Sequence, residues 1–262
     1  KLGTKLRLTG GGRCNVSANV TNDEIINHTP RNGRFLFSSL DQFGVKDVIS
    51  FFNDHGLKLK EEDHHRLFPI TNNASDVVKV LENEMKHLGV NILLNHKIVD
   101  IDLNKQIAIT ETKQFPFDNI IIASGGISFS QTGSDGSILK MLEKIGQPIT
   151  DLKPAEVALV SNETLIQSKA LQGLSFSDVQ VTSFVNNKKV KVVKNDLLIT
   201  HFGLSGPAAL QTSSYLRDAF ENNNHVQIKI DFLPNISLES LQTSKDIQKE
   251  LLILKCPKRL VQ

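Results

Sequence analysis

The sequence predicts an α/β protein with two domains, one over residues 1–150 and the other over residues 151–262. In the first part, helical stripes of apolar residues alternate with short strand candidates. The apolar run at residues 119–123 has the length of a strand covered on both faces, and it ends in small residues. Beyond residue 151, alternating strand candidates are separated by Asn- and Lys-rich turns, a pattern typical of an antiparallel sheet or small barrel.

The individual elements follow from their periodicity and from the glycines that end them. In the first domain we expect helices at residues 41–55, 75–88 and 138–145, and short strands at residues 90–94, 97–101 and 106–110. In the second domain we expect strands at residues 154–160, 178–185, 189–193, 196–200 and 226–231, a helix capped by Ser205, and a further helix at residues 238–254.

Composition disfavours several classes of partner. The net charge is only +2, and with no Trp and a single Tyr the sequence offers few base-stacking side chains, so we expect no nucleic-acid partner. No apolar run reaches the roughly 18 residues needed to cross a bilayer, so we expect no membrane partner. Cys14 and Cys256 are far apart, which favours a reducing, cytoplasmic compartment over a disulfide scaffold. A small-molecule substrate is the expected partner; the oligomeric state is left open.

The stretch from residue 5 to residue 15 is the first candidate ligand site. Its three consecutive glycines let bare backbone approach a planar or phosphate-bearing ligand, and the cation and amide that follow suit a pyrophosphate or the polar edge of a ring. A flexible glycine turn is the alternative, because the spacing matches neither a Walker A loop nor Gly-x-Gly-x-x-Gly after a strand. The candidate contacts are Lys5, Gly10, Gly11, Gly12, Arg13, Cys14 and Asn15.

A second candidate segment follows the apolar run. A buried strand that ends in small residues lets a ligand reach the carboxyl edge of a parallel sheet, where α/β proteins bind cofactors. The backbone amides at the start of the next helix would favour an anion such as phosphate. The candidate contacts here are Ala123, Ser124, Gly125, Gly126 and Gly133.

These two segments, together with Thr200-His-Phe-Gly-Leu-Ser-Gly-Pro207, resemble a bacterial family of NAD(P)/FAD-dependent oxidoreductases described as aminoacetone-oxidase-like flavoproteins. The resemblance implies a Rossmann-like FAD domain of the two-dinucleotide-binding-domain type, with an inserted β-barrel-like domain on the substrate side. Such proteins are expected to begin with a strand, Gly-x-Gly-x-x-Gly and a helix, and to end by returning to the FAD domain. Neither piece is in this sequence, so the resemblance implies a partial FAD domain.

The resemblance also implies a function. FAD would carry out hydride or electron transfer, with NAD(P)H as a possible co-substrate or oxygen as the redox partner, on an unidentified small organic substrate. In related flavoproteins the backbone around Ile98 and Val99 contacts the adenine, although an ordinary pair of strands is the alternative. A different class of function also stays open, in which the chain is a non-catalytic remnant that acts as a binding or assembly module.

Few side chains invite a catalytic role. His201 could exchange a proton with a substrate at the flavin, or it could be a structural histidine that bonds a nearby carbonyl. Cys14 could be redox-active beside the glycines, or it could simply pack. His64 and His65 stand in an acidic run, but adjacent residues do not share a face, so a solvated turn is favoured and no metal is predicted.

Overall fold

The computed structural model describes residues 1–237 and residue 239. The chain divides into two compact units, Lys1–Asp151 and Leu152–Gln262. The fold is mixed α/β, and every strand pair in the described residues is antiparallel. No helix within those residues is both long and apolar enough to cross a membrane. The helix predicted at residues 238–254 lies outside the described residues, apart from Glu239.

The first unit begins with a 3₁₀ segment, Leu6–Gly12, which carries the three glycines. A three-stranded sheet of order β1-β3-β2 comes after it in the chain. The core of this part of the unit contains buried side chains, among them Phe52, Ala74 and Val77. The elements in chain order are β1 (Ser17–Ala18), α1 (Asn22–His28), α2 (Phe37–Gln42), α3 (Val45–Asp54), β2 (Leu59–Glu61), β3 (Arg66–Pro69) and α4 (Ala74–His87).

The helix predicted at residues 41–55 is in fact two helices. Asp41 lies inside α2, and α3 begins after Gly44, whose backbone N–H donates to the Asp47 carboxylate at 2.7 Å. The predicted stop at Gly56 agrees with its left-handed backbone (φ 79°). The helix predicted at residues 75–88 is confirmed as α4, where the Asn73 side chain accepts the Ser75 N–H.

A second three-stranded sheet follows in the first unit, with order β4-β5-β6, and one helix lies after it. The Lys144 ammonium near the end of that helix pairs with the Asp100 carboxylate of the first strand at 2.9 Å, which ties the helix to the sheet. The elements are β4 (Ile98–Asp102), β5 (Ile107–Thr110), β6 (Gln114–Pro116) and α5 (Ser137–Lys144).

Two predicted strands of the first unit are wrong. Residues 90–94 are irregular, and residues 119–123 form no strand, with the Ile121 side chain 91% exposed. An apolar run becomes a covered strand only when neighbouring backbone pairs with it. Among the described strands, β4, β5 and β6 pair with one another, and none pairs with residues 119–123. The expected parallel sheet edge is therefore not formed by these residues.

The second unit is a five-stranded antiparallel half-barrel of order β11-β8-β9-β10-β7, packed against one long helix. Val179, Val181, Leu197 and Leu216 are completely buried between the sheet and that helix. The elements are β7 (Leu159–Val160), α6 (Thr164–Gln167), β8 (Ser175–Val185), β9 (Lys188–Ile199), β10 (Gly203–Ser205), α7 (Gly206–Glu221) and β11 (Val226–Asp231).

The predicted antiparallel sheet of the second part is confirmed, whereas a closed barrel is not formed by the described strands. The strands predicted at residues 189–193 and 196–200 are one continuous strand, β9. Only Leu159–Val160 of the first strand candidate, at residues 154–160, is paired. The helix predicted after Ser205 is α7, with Pro207 in its first turn.

Candidate cofactor site

A cavity of about 680 Å³ lies in the first unit, between β4, the loop at residues 120–126 and the residues that lead into α5. This volume falls within the roughly 300–1,000 Å³ of typical ligand and cofactor pockets. Apolar side chains form much of its wall, and charged and hydroxyl groups stand among them. Its lining includes Lys97, Ile98, Ile120, Ile121, Ile122, Ala123, Ser124, Gly126, Gly133, Ser134, Asp135 and Ile138.

Two glycine-containing loops approach each other closely at this cavity because they lack side chains. Gly125 is left-handed (φ 77°), and a Cβ there would lie 3.0 Å from Ser134 Oγ. Gly136 is also left-handed, and its Cβ would lie 2.6 Å from Ile127 Cγ2. Gly133 (φ 104°) differs, because a Cβ there would meet nothing within 4 Å. The absence of a Cβ at Gly125 and Gly136 thus allows the two loops to pack closely. The absence of a side chain at Gly133 leaves space inside the cavity.

Lys5 connects the two candidate segments. Its ammonium donates to Ser134 Oγ at 2.9 Å and to the Ser128 carbonyl at 3.0 Å. The Ser134 hydroxyl in turn reaches the Ser124 carbonyl at 3.4 Å. A cation from the start of the chain therefore holds the loop that forms the cavity wall.

The start of α5 carries a charged pair. The Lys97 ammonium lies 2.7 Å from Asp135 Oδ2, and Asp135 Oδ1 accepts the Ser137 N–H at 3.0 Å. The Lys97 ammonium, the Ser137 hydroxyl and this N–H hold the pKa of Asp135 well below its usual range. The Asp135 carboxylate thus already accepts one of the N–H groups that were predicted to attract a phosphate. A bound anion at the start of α5 would compete with this carboxylate for that N–H.

The glycine segment adopts the backbone that only glycine takes readily. Gly10, Gly11 and Gly12 have φ values of 56°, 64° and 86°. A Cβ on Gly10 would lie 2.9 Å from the Asn15 nitrogen and 3.0 Å from the Phe68 ring, so Gly10 is required by packing. A Cβ on Gly11 would meet nothing within 4 Å, so this backbone is open to an approaching group.

The polar side chains that follow the glycines are already engaged within the protein. Arg13 makes a bidentate pair with Glu62 at 3.0 and 2.8 Å, and its guanidinium lies 4.1 Å from the Phe68 ring centroid. Lys60 and Arg13 together lower the pKa of Glu62. The Asn15 amide nitrogen, oriented for bonding, faces the carbonyl oxygens of Ser17 at 2.7 Å and Leu67 at 3.1 Å.

Cys14 points into the core of the first unit. Its side chain is 2% exposed and packs in the cluster that contains Phe52, Leu57 and Ala74. This burial favours the packing alternative for the thiol, and only the backbone of Cys14 remains for a ligand. None of residues 10–15 lines the cavity. Among the candidate contacts at residues 5–15, it is therefore Lys5 that lies against the candidate segment at residues 123–133, through its bond to the neighbouring Ser134.

The remaining candidate residues lie in different settings. Val99 is 40% exposed on β4, next to the cavity residue Ile98 and at a bulge in the pairing of β4 with β5. His201 is an exposed residue of the turn between β9 and β10 in the second unit, where its ring meets Phe202 edge-on at 4.9 Å. His65 pairs with Glu61 at 2.7 Å in the charged turn.

Sequence reasoning missed the polar groups of the cavity, namely Lys97, Ser134 and Asp135. Asp135 stands two residues before Ser137, a spacing that suits a helix cap and could have been noticed. Lys97 and Ser134 carry no comparable local signal, because each acts through a partner distant in sequence.

A mixed α/β fold with a cavity between glycine-containing loops is typical of cofactor-binding proteins. Residues 1–207 match the family described as HI0933-like protein Rossmann domain, and the chain belongs to this family. It is a family of the FAD-binding oxidoreductase type.

The chain is similar along its whole length to curated bacterial proteins. It is 29% identical to a ribosomal RNA dihydrouridine synthase of Haemophilus influenzae, over 100% of the chain and 65% of that protein. It is 28% identical to the protein of the same name from Escherichia coli, over 100% and 64%. It is 26% identical to a 3-dehydro-bile acid delta(4,6)-reductase of Clostridium scindens, over 98% and 61%. The chain thus spans somewhat less than two thirds of the length of these relatives.

Proposed function

We propose that the chain is the flavin-binding part of an FAD-dependent oxidoreductase that acts on a small organic substrate, with NAD(P)H or oxygen as its redox partner. Family membership supports the flavin. The observation that carries the proposal is the cavity of about 680 Å³, where Gly126 and Gly133 lie beside an apolar wall of isoleucines.

The chemistry of the cavity fits a ligand that is flat and apolar at one end and anionic at the other. Ile120, Ile122 and Ile138 offer apolar contact to a ring system, and Gly133 leaves space that a side chain would fill. The Lys97 ammonium stands at the lining and adds positive charge, though Asp135 neutralises part of it. When bound, FAD would supply hydride or electron transfer. The chain's own residues would bind it, orient it and exclude water.

The names of the relatives support a reduction as the reaction type. One is a delta(4,6)-reductase, and a dihydrouridine synthase is named for a product that carries two more hydrogens than uridine. We propose that the substrate gains a hydride and a proton across a carbon–carbon double bond. NAD(P)H would be the source of the hydride and its electron pair. We propose His201 as the group that supplies the proton, with a cytoplasmic enzyme as the setting.

A flavin titration tests the proposal directly. The purified chain is incubated with FAD, passed over a desalting column, and examined for the flavin absorption bands. Gly133→Val should abolish retention of the flavin, because its side chain would enter the cavity. Gly146→Val is the matched control, since Gly146 is also left-handed (φ 89°) and also has open space around its Cβ position, but does not line the cavity.

Two outcomes would redirect the proposal. A colourless chain that ignores added FAD would favour the alternative function, a binding or assembly module without catalysis. Equal retention by wild type, Gly133→Val and Gly146→Val would show that the flavin binds elsewhere, and the cavity would lose its assignment.

A second candidate substrate is a uridine of ribosomal RNA. The observation in its favour is the similarity, at 28–29% identity over the entire chain, to two proteins named ribosomal RNA dihydrouridine synthase. It competes with the expectation, based on composition, that the chain has no nucleic-acid partner. Reduction of a uridine oligoribonucleotide, compared with reduction of an unsaturated steroid ketone, by the flavin-loaded protein and NAD(P)H would distinguish these substrate classes.

A further inference from the structure

Two histidines face one carboxylate at the C-terminal ends of α3 and α4. Glu84 lies in the last turn of α4, and its Oε2 atom is 3.1 Å from His55 Nε2 and 3.3 Å from His87 Nδ1. His55 is the residue that follows the last turn of α3. Glu84 and His87 are three positions apart on α4, a spacing that places two side chains side by side on a helix. None of the three lines the candidate flavin cavity, so a role for them does not rest on the proposed function.

The hydrogen bonds of His55 determine which of its ring nitrogens is free. Its Nδ1 lies 2.6 Å from the Phe51 carbonyl oxygen, and because a carbonyl can only accept, Nδ1 carries the proton of the neutral imidazole. The lone pair is then on Nε2, which faces the Glu84 carboxylate, another acceptor. Two acceptors at 3.1 Å need a cation between them, either a second proton on the ring or a metal ion. A backbone carbonyl at Nδ1 also orients many histidines that bind a metal through Nε2.

The surroundings of the Glu84 carboxylate favour a bound cation. The C-terminal end of a helix carries partial negative charge, and the carboxylate lies at two such ends. Within the described residues, its ion pairs are with the two histidines and with no lysine or arginine. The Phe51 carbonyl, and then Glu84, raise the pKa of His55, so a proton competes for the same place at acid pH.

We propose that His55, Glu84 and His87 bind a divalent transition-metal ion, with Zn²⁺ the best match to this ligand set. Zinc takes imidazole nitrogens and carboxylate oxygens at about 2.0–2.2 Å and can keep a fourth position open to water. Neighbouring ligand atoms of such a tetrahedral site are about 3.4 Å apart. The two N–O distances of 3.1 and 3.3 Å are close to this value.

One side chain must move to complete the site. The three ligand atoms are not all within 4.8 Å of one another, so the His87 ring has to turn toward His55. The His87 side chain is 78% exposed, which leaves this rotation free. The backbone is already held in place, since Phe52 and Leu57 belong to the same buried cluster as Val77 of α4. The ion would cross-link α3 to α4 and, by binding only the folded chain, would stabilise it.

The test is zinc binding by the full chain, freed of metal with a chelator and desalted, at about pH 7.5, above the usual pKa of histidine near 6.5. Competition with a coloured zinc chelator measures the affinity, and melting with and without zinc measures the linked stabilisation. His55→Gln, Glu84→Gln and His87→Gln should each weaken binding by about 10-fold or more, since loss of even an outer-shell partner costs a metal site about 10- to 100-fold. Each should also reduce the rise in melting temperature that zinc causes.

His96→Gln and Glu82→Gln are the matched controls. His96 also bonds through Nδ1 to a backbone carbonyl, that of Leu94 at 2.7 Å, but among the described residues no carboxylate pairs with it. Glu82 lies on the same helix as the site and pairs with Lys86. Both controls should bind zinc as the wild type does. His87→Gln keeps the test valid if another variant folds poorly, because the His87 side chain is mostly in solvent.

Several results would overturn the inference. These are undetectable zinc binding by the wild type, unchanged binding in any one of the three ligand variants, or an equal loss in the two controls. A different pattern would assign the three side chains to a proton instead of a metal. In that case the wild type would be more stable than His55→Gln below about pH 6.5, the difference would disappear as the pH rises, and zinc would have no effect.

Discussion

The ammonium of Lys5 lies 2.9 Å from the hydroxyl oxygen of Ser134, although 129 positions separate the two residues in the chain. The same ammonium bonds to the Ser128 carbonyl at 3.0 Å. Ser134 lines the cavity, and its hydroxyl oxygen would lie 3.0 Å from a Cβ on Gly125. The contact with Lys5 therefore joins the beginning of the first unit to the wall of the candidate flavin site.

Removal of this contact should loosen the cavity before it unfolds the protein. We expect Lys5→Ala to destabilise the chain by about 1 kcal/mol, below the usual value for a charged hydrogen bond because the ammonium is only part-buried, and to weaken flavin binding. Urea unfolding and FAD titration measure the two effects. Lys113→Ala, at an exposed turn after β5, is the control. Unchanged flavin affinity in Lys5→Ala would contradict the proposed role of Lys5 at the site.

Gly125→Ala should be destabilising by about 1–2 kcal/mol. An L-residue is strained at its φ of 77°, and the new Cβ would lie 3.0 Å from Ser134 Oγ. In a Ser134→Ala background, where both chains compared lack the Lys5 contact, Gly125→Ala should cost only the part due to backbone strain. Gly146→Ala reports strain alone, because its Cβ would meet nothing within 4 Å. Equal unfolding free energies for Gly125→Ala and Gly146→Ala would argue against the close approach of the two loops.

Features with local causes could be predicted from sequence. The stripe of apolar residues and the glycine after it define α4 and its end, and the turn at residues 103–105 lies between the paired strands β4 and β5. β11 was predicted with its bounds because alternation and flanking turns agree along one strand. In the same way, three consecutive glycines predicted bare backbone at residues 10–12, and the structure has that backbone.

Features that depend on distant partners could not be predicted. Residues 119–123 have the composition of a covered strand, but strand pairing is decided by neighbouring backbone, and none of the described strands supplies it. The partner of Arg13 is Glu62, 49 positions away, and no local pattern indicates that pair; contact of Arg13 with a ligand stays a prediction. Lys97 and Asp135 form their pair across 38 positions. In each case the missing information is which residues the fold brings together.

The stability of the cavity rim should depend on pH in the acid range. In the folded protein, the pKa of Asp135 lies below the unfolded value near 3.9. The hydrogen bond from Lys97 contributes most to this lowering, followed by those from the Ser137 hydroxyl and N–H. A depressed folded pKa contributes stability that is present above the unfolded pKa and is lost as the pH falls through the folded pKa. We therefore expect wild type to exceed Asp135→Asn in melting temperature by a constant amount above about pH 5.

Below about pH 4 that difference in melting temperature should shrink, because protonation removes the carboxylate's advantage in the wild type. Glu143→Gln, on the same helix, tests whether any loss of negative charge has this effect. A difference between wild type and Asp135→Asn that stays constant down to pH 2.5 would contradict the ionised pairing of Asp135 with Lys97.

Substitution of His201 distinguishes a role in proton exchange from a structural role. Because the side chain is exposed in the turn between β9 and β10, His201→Gln should leave the melting temperature within about one degree of wild type. If the imidazole exchanges the proton, turnover with a reducible substrate should fall by about 10²- to 10⁴-fold, and flavin retention should be unchanged. A variant that turns over normally would remove His201 from the reaction, and one that melts much earlier would assign it to the structural alternative.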